Sequence, residues 1–305
     1  NFEPIPPTLG APVTLSAPFN PAPGTYVISA VPLQGVWVLD PDTYDWFRHR
    51  EPVARVGHAL FVYRVSVANP APDWVAACAA PVSPLNSDQI AAGFGRSDLR
   101  VVMFDCNQSW LYPAGEAGWT VLPGNSPLDA WAAARLAGVP LSFRQGGFWS
   151  HPALTIYAQH QRPKGATPPH TSMRVAPSHW PLAEALSKGT VAQGPVRVGD
   201  ALSFLGYDVV IESDRVALHT YWRVEQGVQR PLSLMAHLLA PDGTPLAVAD
   251  GLGVPVEGWQ PGDVILQRHL FDISQAELPD AYVLQTGAYW LDTMERMPVR
   301  VAGQT

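Results

Sequence analysis

Lysine is almost missing from this chain: Lys164 and Lys188 are the only two among 19 basic residues, the rest being arginine. No basic cluster exceeds the short stretch Arg48-His49-Arg50, and the net charge is −7. Nucleic-acid binding needs a basic face that neutralises phosphates, so nucleic acid is excluded as a partner. An anionic membrane surface is excluded on the same ground. The arginine bias, together with 32 prolines, fits a GC-rich coding sequence or heat-stable loops better than a binding function. Charged residues make up only 15% of the 305 residues, yet no apolar run approaches the ~20 needed to cross a bilayer. Nucleophile elbows, phosphate loops, dinucleotide fingerprints, paired metal-cysteine motifs and HExxH are all missing, which argues against a catalytic site. Asn1 is not an initiator methionine and no charged-plus-apolar leader precedes it, so a processed or excised piece of a longer chain is expected.

Cysteine occurs twice, at Cys78 and Cys106. A lone pair in an extracytoplasmic protein invites a disulfide, while two unrelated buried thiols fit the same count. The residues alone leave both open.

What is present is strand texture. Residues 1–24 are Pro-rich and aperiodic, an extended surface segment. Residues 25–31 (TYVISAV) predict a strand. The stretch from Asp42 to Glu51 predicts a helix with Asp42 as N-cap and Pro52 as its stop. HALFVYRV, 58–65, predicts a buried strand. Further strands are expected at 100–104, 119–122, 139–143 and 153–158, with an Ala-rich helix at 128–137 closed by Gly138. The order predicts a layered mixed α/β domain over 1–160, with two related half-units, 1–66 and 67–160. Residues 161–178 are polar, Pro-rich and patternless, hence a linker. Beyond them, short strands at 202–209, 216–224, 232–239, 246–249, 264–273 and 281–291 are punctuated by turns such as Pro241-Asp242-Gly243. This predicts an antiparallel β-sandwich over 179–305, so the whole reads as an α+β multidomain chain.

Several clusters carry candidate chemistry. His219, His237 and His269 sit on sandwich strands, where neutral imidazoles from neighbouring strands can converge on a metal; half-buried, hydrogen-bonded histidines are the plainer reading. No metal and no cofactor is expected. Asp242, Asp250 and Asp272 lie at turns where calcium sometimes binds, but Asp-Gly turns need no calcium. Trp110, Tyr112 and Trp119 follow Cys106, and an exposed group of that kind stacks sugar rings; core packing is the commoner fate of tryptophan. Trp46, Arg48, His49 and Arg50 fall on the first helix and mark either a solvated face or an interface with a partner.

Two blocks carry a resemblance. PGTYVISAVPLQGV with DTYDWFRHREPVARVGHALFVYRV, and LGYDV…HTYWRV…SLMAHLLAPDGTPLAVADG…GWQPGDVILQRHLFDI…YVLQTGAYW, resemble the soluble tails of bacterial membrane glycosyltransferases. These are relatives of dolichyl-phosphate-mannose–protein mannosyltransferase, with the GT-C fold. RSDLRVVMFDCNQSW…GWTVL is similar to a middle portion in which the cysteine recurs, and this tips the pair towards a Cys78–Cys106 disulfide. The resemblance implies a non-catalytic extracytoplasmic module tethered to the membrane. Its partner would be the transmembrane catalytic domain of the same parent chain, and it would assist glycan or acceptor-protein binding. The family's catalytic acidic residues lie in the membrane domain, so no catalytic residue is carried over. A free-standing secreted carbohydrate-binding or cell-surface protein is the alternative.

Overall fold

The computed structural model describes residues 17–38, 40–67, 72–80, 83, 85–124, 129–147, 152–159, 167–177, 179–211 and 214–301. Strand dominates, at 42% against 14% helix. The chain opens with β1 (Gly24–Ser29), α1 (Ala30–Leu33), α2 (Asp45–Arg48), β2 (Ala54–Val56) and β3 (Leu60–Val65). The three strands form an antiparallel sheet ordered β1-β3-β2. Tyr63 and Val65 turn inwards while Leu60 and Arg64 face out, so β3 is buried on one face only. The helix predicted from Asp42 is a single turn. Asp42 does not cap it, because its carboxylate accepts from the backbone N–H of Gly146 at 2.7 Å instead.

Next come β4 (Trp74–Cys78), α3 (Ser87–Phe94), β5 (Arg100–Phe104), β6 (Ser109–Tyr112), β7 (Gly118–Pro123), α4 (Ala130–Arg135), β8 (Leu141–Gln145) and β9 (Leu154–Gln159). Five of these strands build a mixed sheet ordered β5-β4-β7-β9-β8, with β4 parallel to both β5 and β7. Helix α3 makes the crossover that parallel pairing demands. Asn86 and Gln89 close a capping box at its start, and Gly95 takes the left-handed conformation at its end. Strand β4 is buried on both faces, Val75 and Ala77 in one core and Trp74, Ala76 and Cys78 in another. The Trp74 indole lies flat on Gly118, where a Cβ would come within 2.1 Å of it. The two expected half-units are therefore not repeats: one is a small antiparallel sheet, the other a five-stranded mixed one.

The remainder comprises β10 (Ser172–Val175), α5 (Leu182–Lys188), β11 (Thr190–Gln193), β12 (Val196–Val198), β13 (Leu202–Ile211), β14 (Val216–Val224), β15 (Leu232–Leu239), β16 (Pro245–Val248), β17 (Val264–Phe271), β18 (Val283–Trp290) and β19 (Val299–Val301). A six-stranded antiparallel sheet, β19-β12-β13-β14-β17-β6, faces a three-stranded one, β16-β15-β18. Val216, Leu218 and Phe271 of the first pack on Ala236 and Leu238 of the second. The sixth strand, β6, comes from the first half of the chain and pairs with β17, Leu111 opposite Ile265. One core runs from Trp74 and Phe104 through Trp110 to Trp222 and Trp259. Arg100 on β5 also forks onto the fully buried Asp263, at 2.9 and 2.5 Å. The boundary expected at 161–178 is thus bridged by a strand, a core and an ion pair. The described end of that segment belongs to the sandwich: His170 exchanges backbone hydrogen bonds with Tyr207, and β10 pairs with β11.

Candidate functional site

Among the described residues three strands face the six, and a cleft of about 1020 Å³ is bordered by β12, β13 and β14 on one side and by β15 and β18 on the other. Ligand pockets run to roughly 300–1,000 Å³, so this cleft is large enough to hold a ligand. Val196, Val198, Phe204, Leu218 and Trp222 line one wall and Leu284, Thr286 and Ala288 the other, while Met235 and His237, which alternate with the inward Ala236 and Leu238, border the cavity from the outer face of β15.

A strap made of β10, α5 and β11 lies over the opening. In α5, Leu182, Ala185 and Leu186 are spaced i, i+3 and i+4 and all line the cleft, while Glu184 pairs with Lys188 at 3.0 Å. No residue of α5 is buried. The strap is held at its ends. Arg174 on β10 donates to the Gly189 carbonyl at 2.9 Å, just past the helix, and Leu182 lies beside the predicted turn at Gly243. That turn forms as expected, with Gly243 at φ 91° and the Thr244 N–H donating to Asp242 at 2.9 Å.

Two polar groups of the inner wall, on Thr220 and Trp222, are already committed. Trp222 Nε1 donates to Thr220 Oγ1 at 2.8 Å, and Thr220 Oγ1 lies 2.9 Å from His269 Nε2. His269 Nδ1 sits 2.6 Å from the Ala249 carbonyl and must carry the proton. Thr220 therefore donates to the other ring nitrogen. Burial lowers the His269 pKa to about 4, keeping the ring neutral.

The histidines do not converge. His269 points between the sheets. His219 is on the opposite face of the larger sheet, its ring 4.4 Å from that of Trp131, its pKa lowered to about 3 by burial and the nearby Arg135 and Arg268. His237 is on the other sheet, 3.3 Å from Asp250. Among the described residues no group of three or more His, Cys, Asp or Glu could hold a metal ion. Asp250 also accepts from the Ala236 N–H at 2.8 Å and from Tyr289, and Asp272 is exposed on a bend.

The aromatic group splits between two cores. Trp110 and Tyr112 lie between the mixed and six-stranded sheets, with Trp110 5.6 Å from Phe104; Trp119 lies on the far side of the mixed sheet against Phe94, 4.4 Å away. All three are buried, at 0%, 2% and 6% exposure, so no ring presents a face for a sugar. This corrects the stacking expectation: strands β6 and β7 are internal, and their alternate positions point into protein on both sides. Burial also pushes the Tyr112 hydroxyl up to about 12.

The charged knot on α2 is partnered inside the chain. Asp45 is buried and accepts from the Arg144 N–H of β8 and from His49 at 3.0 Å. Arg48 donates to the Leu33 carbonyl at 2.5 Å. Arg50 lies 3.3 Å over the Trp46 ring and donates to the carbonyls of Trp46 and Ser142, with its pKa lowered to about 10 by burial. These groups fasten α2 to β8.

Cys78 and Cys106 are joined in a disulfide, tying the end of β4 to the loop before β6. None of the described helices is long and apolar enough to cross a membrane. The sequence reading missed the strap residues Leu182, Ala185 and Leu186, although their helical spacing after Pro181 was there to be read. No protein-family model matches the chain, and no curated protein and no solved structure matches it significantly.

Proposed function

We propose that this chain is a non-catalytic extracytoplasmic accessory module of a membrane-embedded glycosyltransferase, and that it acts by binding a ligand in the inter-sheet cleft. One observation carries the binding reading: a cavity of about 1020 Å³ is covered by a helix that buries none of its own residues. Packed cores leave few voids larger than a water molecule, so a space of this size under a lightly seated strap reads as a site and not as a packing fault. The disulfide suits an oxidising compartment. The tie to a glycosyltransferase rests on the sequence blocks described above, and the transmembrane catalytic domain of the same parent is its partner.

Two measurements test it. The coding sequence upstream should contain a string of apolar spans of ~20 residues; a secretion leader directly before Asn1 would instead favour a free-standing binding protein. The purified chain, incubated with polyprenyl-phosphate-linked and nucleotide-linked sugars, should release and transfer none. Turnover would overturn the non-catalytic reading.

A further inference from the structure

We infer that the occupant of the cleft is a single-chain amphiphile with an anionic head, a carboxylate or a phosphate; this rests on the reading of the cleft as a ligand site. The walls are the first argument. Phe204, Leu218, Met235 and the strap leucines present hydrocarbon. Two of the wall hydroxyls are engaged, Thr220 by Trp222 and His269, and Thr286 by the Met235 carbonyl at 2.8 Å, while those of Ser172, Tyr207 and Tyr282 also border the cleft. A glycan laid against Val196, Val198, Phe204, Leu218 and Trp222 would leave most of its hydroxyls without partners, a desolvation cost that an alkyl chain does not incur.

Charge is the second argument. The chain holds 26 acidic residues and a net charge of −7, yet no Asp or Glu lines this cleft. Two arginines do, Arg174 and Arg296, both exposed and so placed at the mouth. Arg174 has one guanidinium nitrogen on the Gly189 carbonyl. The Arg296 side chain has no hydrogen bond or ion pair among the described residues. A local positive rim on an acidic protein selects anions, and guanidinium pairs equally well with carboxylate and phosphate. Entry lies under α5, whose lack of buried residues makes it the least anchored wall.

Calorimetric titration with laurate and dodecyl phosphate, below their micellar concentrations, tests the proposal. The comparators are dodecyl maltoside, decyltrimethylammonium, inorganic phosphate and a soluble oligosaccharide. One anionic amphiphile should bind per chain, about tenfold more tightly than dodecyl maltoside. Affinity should rise with chain length, by up to about fourfold per methylene. Inorganic phosphate alone should be silent. Arg296→Glu should abolish the preference for the anion but keep the chain-length dependence. Leu186→Glu, on an exposed strap position that leaves the core intact, should weaken all amphiphiles about tenfold. Preference for one of laurate and dodecyl phosphate would identify the head. Equal binding of dodecyl maltoside, unmoved by Arg296→Glu, would leave the cleft a binding site and overturn the anionic head. Binding of the oligosaccharide alone, indifferent to Leu186→Glu, would keep a binding module but overturn the cleft. If no amphiphile binds a chain with native circular dichroism, the proposal falls.

Discussion

Thr220 is a single hydroxyl on which two buried side chains depend. It accepts from Trp222 and donates to His269, and it is fully buried. Valine keeps the shape and removes both bonds, leaving an indole N–H and an imidazole nitrogen unpaired. Thr220→Val should therefore cost about 1–3 kcal/mol for each group stranded, read from the urea midpoint. The histidines set a pH dependence. His269 and His219 have pKa values near 4 and 3 in the folded chain, below the ~6.5 of an unfolded histidine. Between those values the unfolded chain takes up protons that the folded one refuses. Their stabilising contribution is complete above pH ~6.5 and drains away as the pH falls towards 4. The urea midpoint should fall from pH 7 to pH 5, a window above most carboxylate titration, and His269→Gln should flatten the slope. A midpoint level across that window would show that the rings are not held neutral. At this scale the sequence told which residues were unusual but not their surroundings. His219 and His269 are separated by one sheet thickness, and the strand registers that decide which face each takes depend on partners 50 residues away.

Elements with a clear period were legible, and elements without one were not. VALHTYWRV and LSLMAHLL contain long runs of β-formers between turn residues, and β14 and β15 begin and end where those runs do. Strand β4 is five apolar residues with no alternation, because parallel neighbours bury both of its faces; from sequence it resembles a fragment of helix. Helix α3 had its Asn86–Gln89 capping signal but is only two turns long, and the apolar triplet Leu182, Ala185 and Leu186 of α5 spans little more than one turn, so neither makes a long apolar stripe. Strand β6 was least legible. SWLY reads as a short aromatic group, and only its pairing with β17, some 150 residues on, makes it a strand. The consequence is testable. A fragment of residues 179–305 lacks β6 and exposes Leu266, Tyr221 and Val264, which otherwise lie in the shared core. That fragment should bind a hydrophobic dye and unfold without a cooperative urea transition. A native near-ultraviolet dichroism spectrum from it would show that the sandwich closes unaided.

On the scale of the whole molecule, texture and construction diverge. Composition changes near residue 170, as it would between independent domains, because each half is locally consistent in its own kind of sheet. Besides the shared core, the joins between halves include polar and strand contacts that are invisible in their own neighbourhoods: an arginine at position 100, an aspartate at 263, four residues of β6. Asp263 is completely buried and accepts from Arg100, from the Ala114 N–H at 2.8 Å and from the Gln260 N–H at 2.9 Å. A carboxylate so placed holds β5, the start of β17 and the segment after β6 at one point. Removing the guanidinium leaves a buried charge with only backbone donors, so Arg100→Ala should cost about 3–5 kcal/mol. If the core is one unit, that loss is felt everywhere. Scanning calorimetry of the intact chain should give a single transition, and Arg100→Ala should move all of it to lower temperature. Two transitions, of which the variant shifts only one, would mean that the halves fold separately and that the contact between them is a docked interface. The continuity of the core from Trp74 to Trp259, built of apolar side chains from both halves, argues for the single transition.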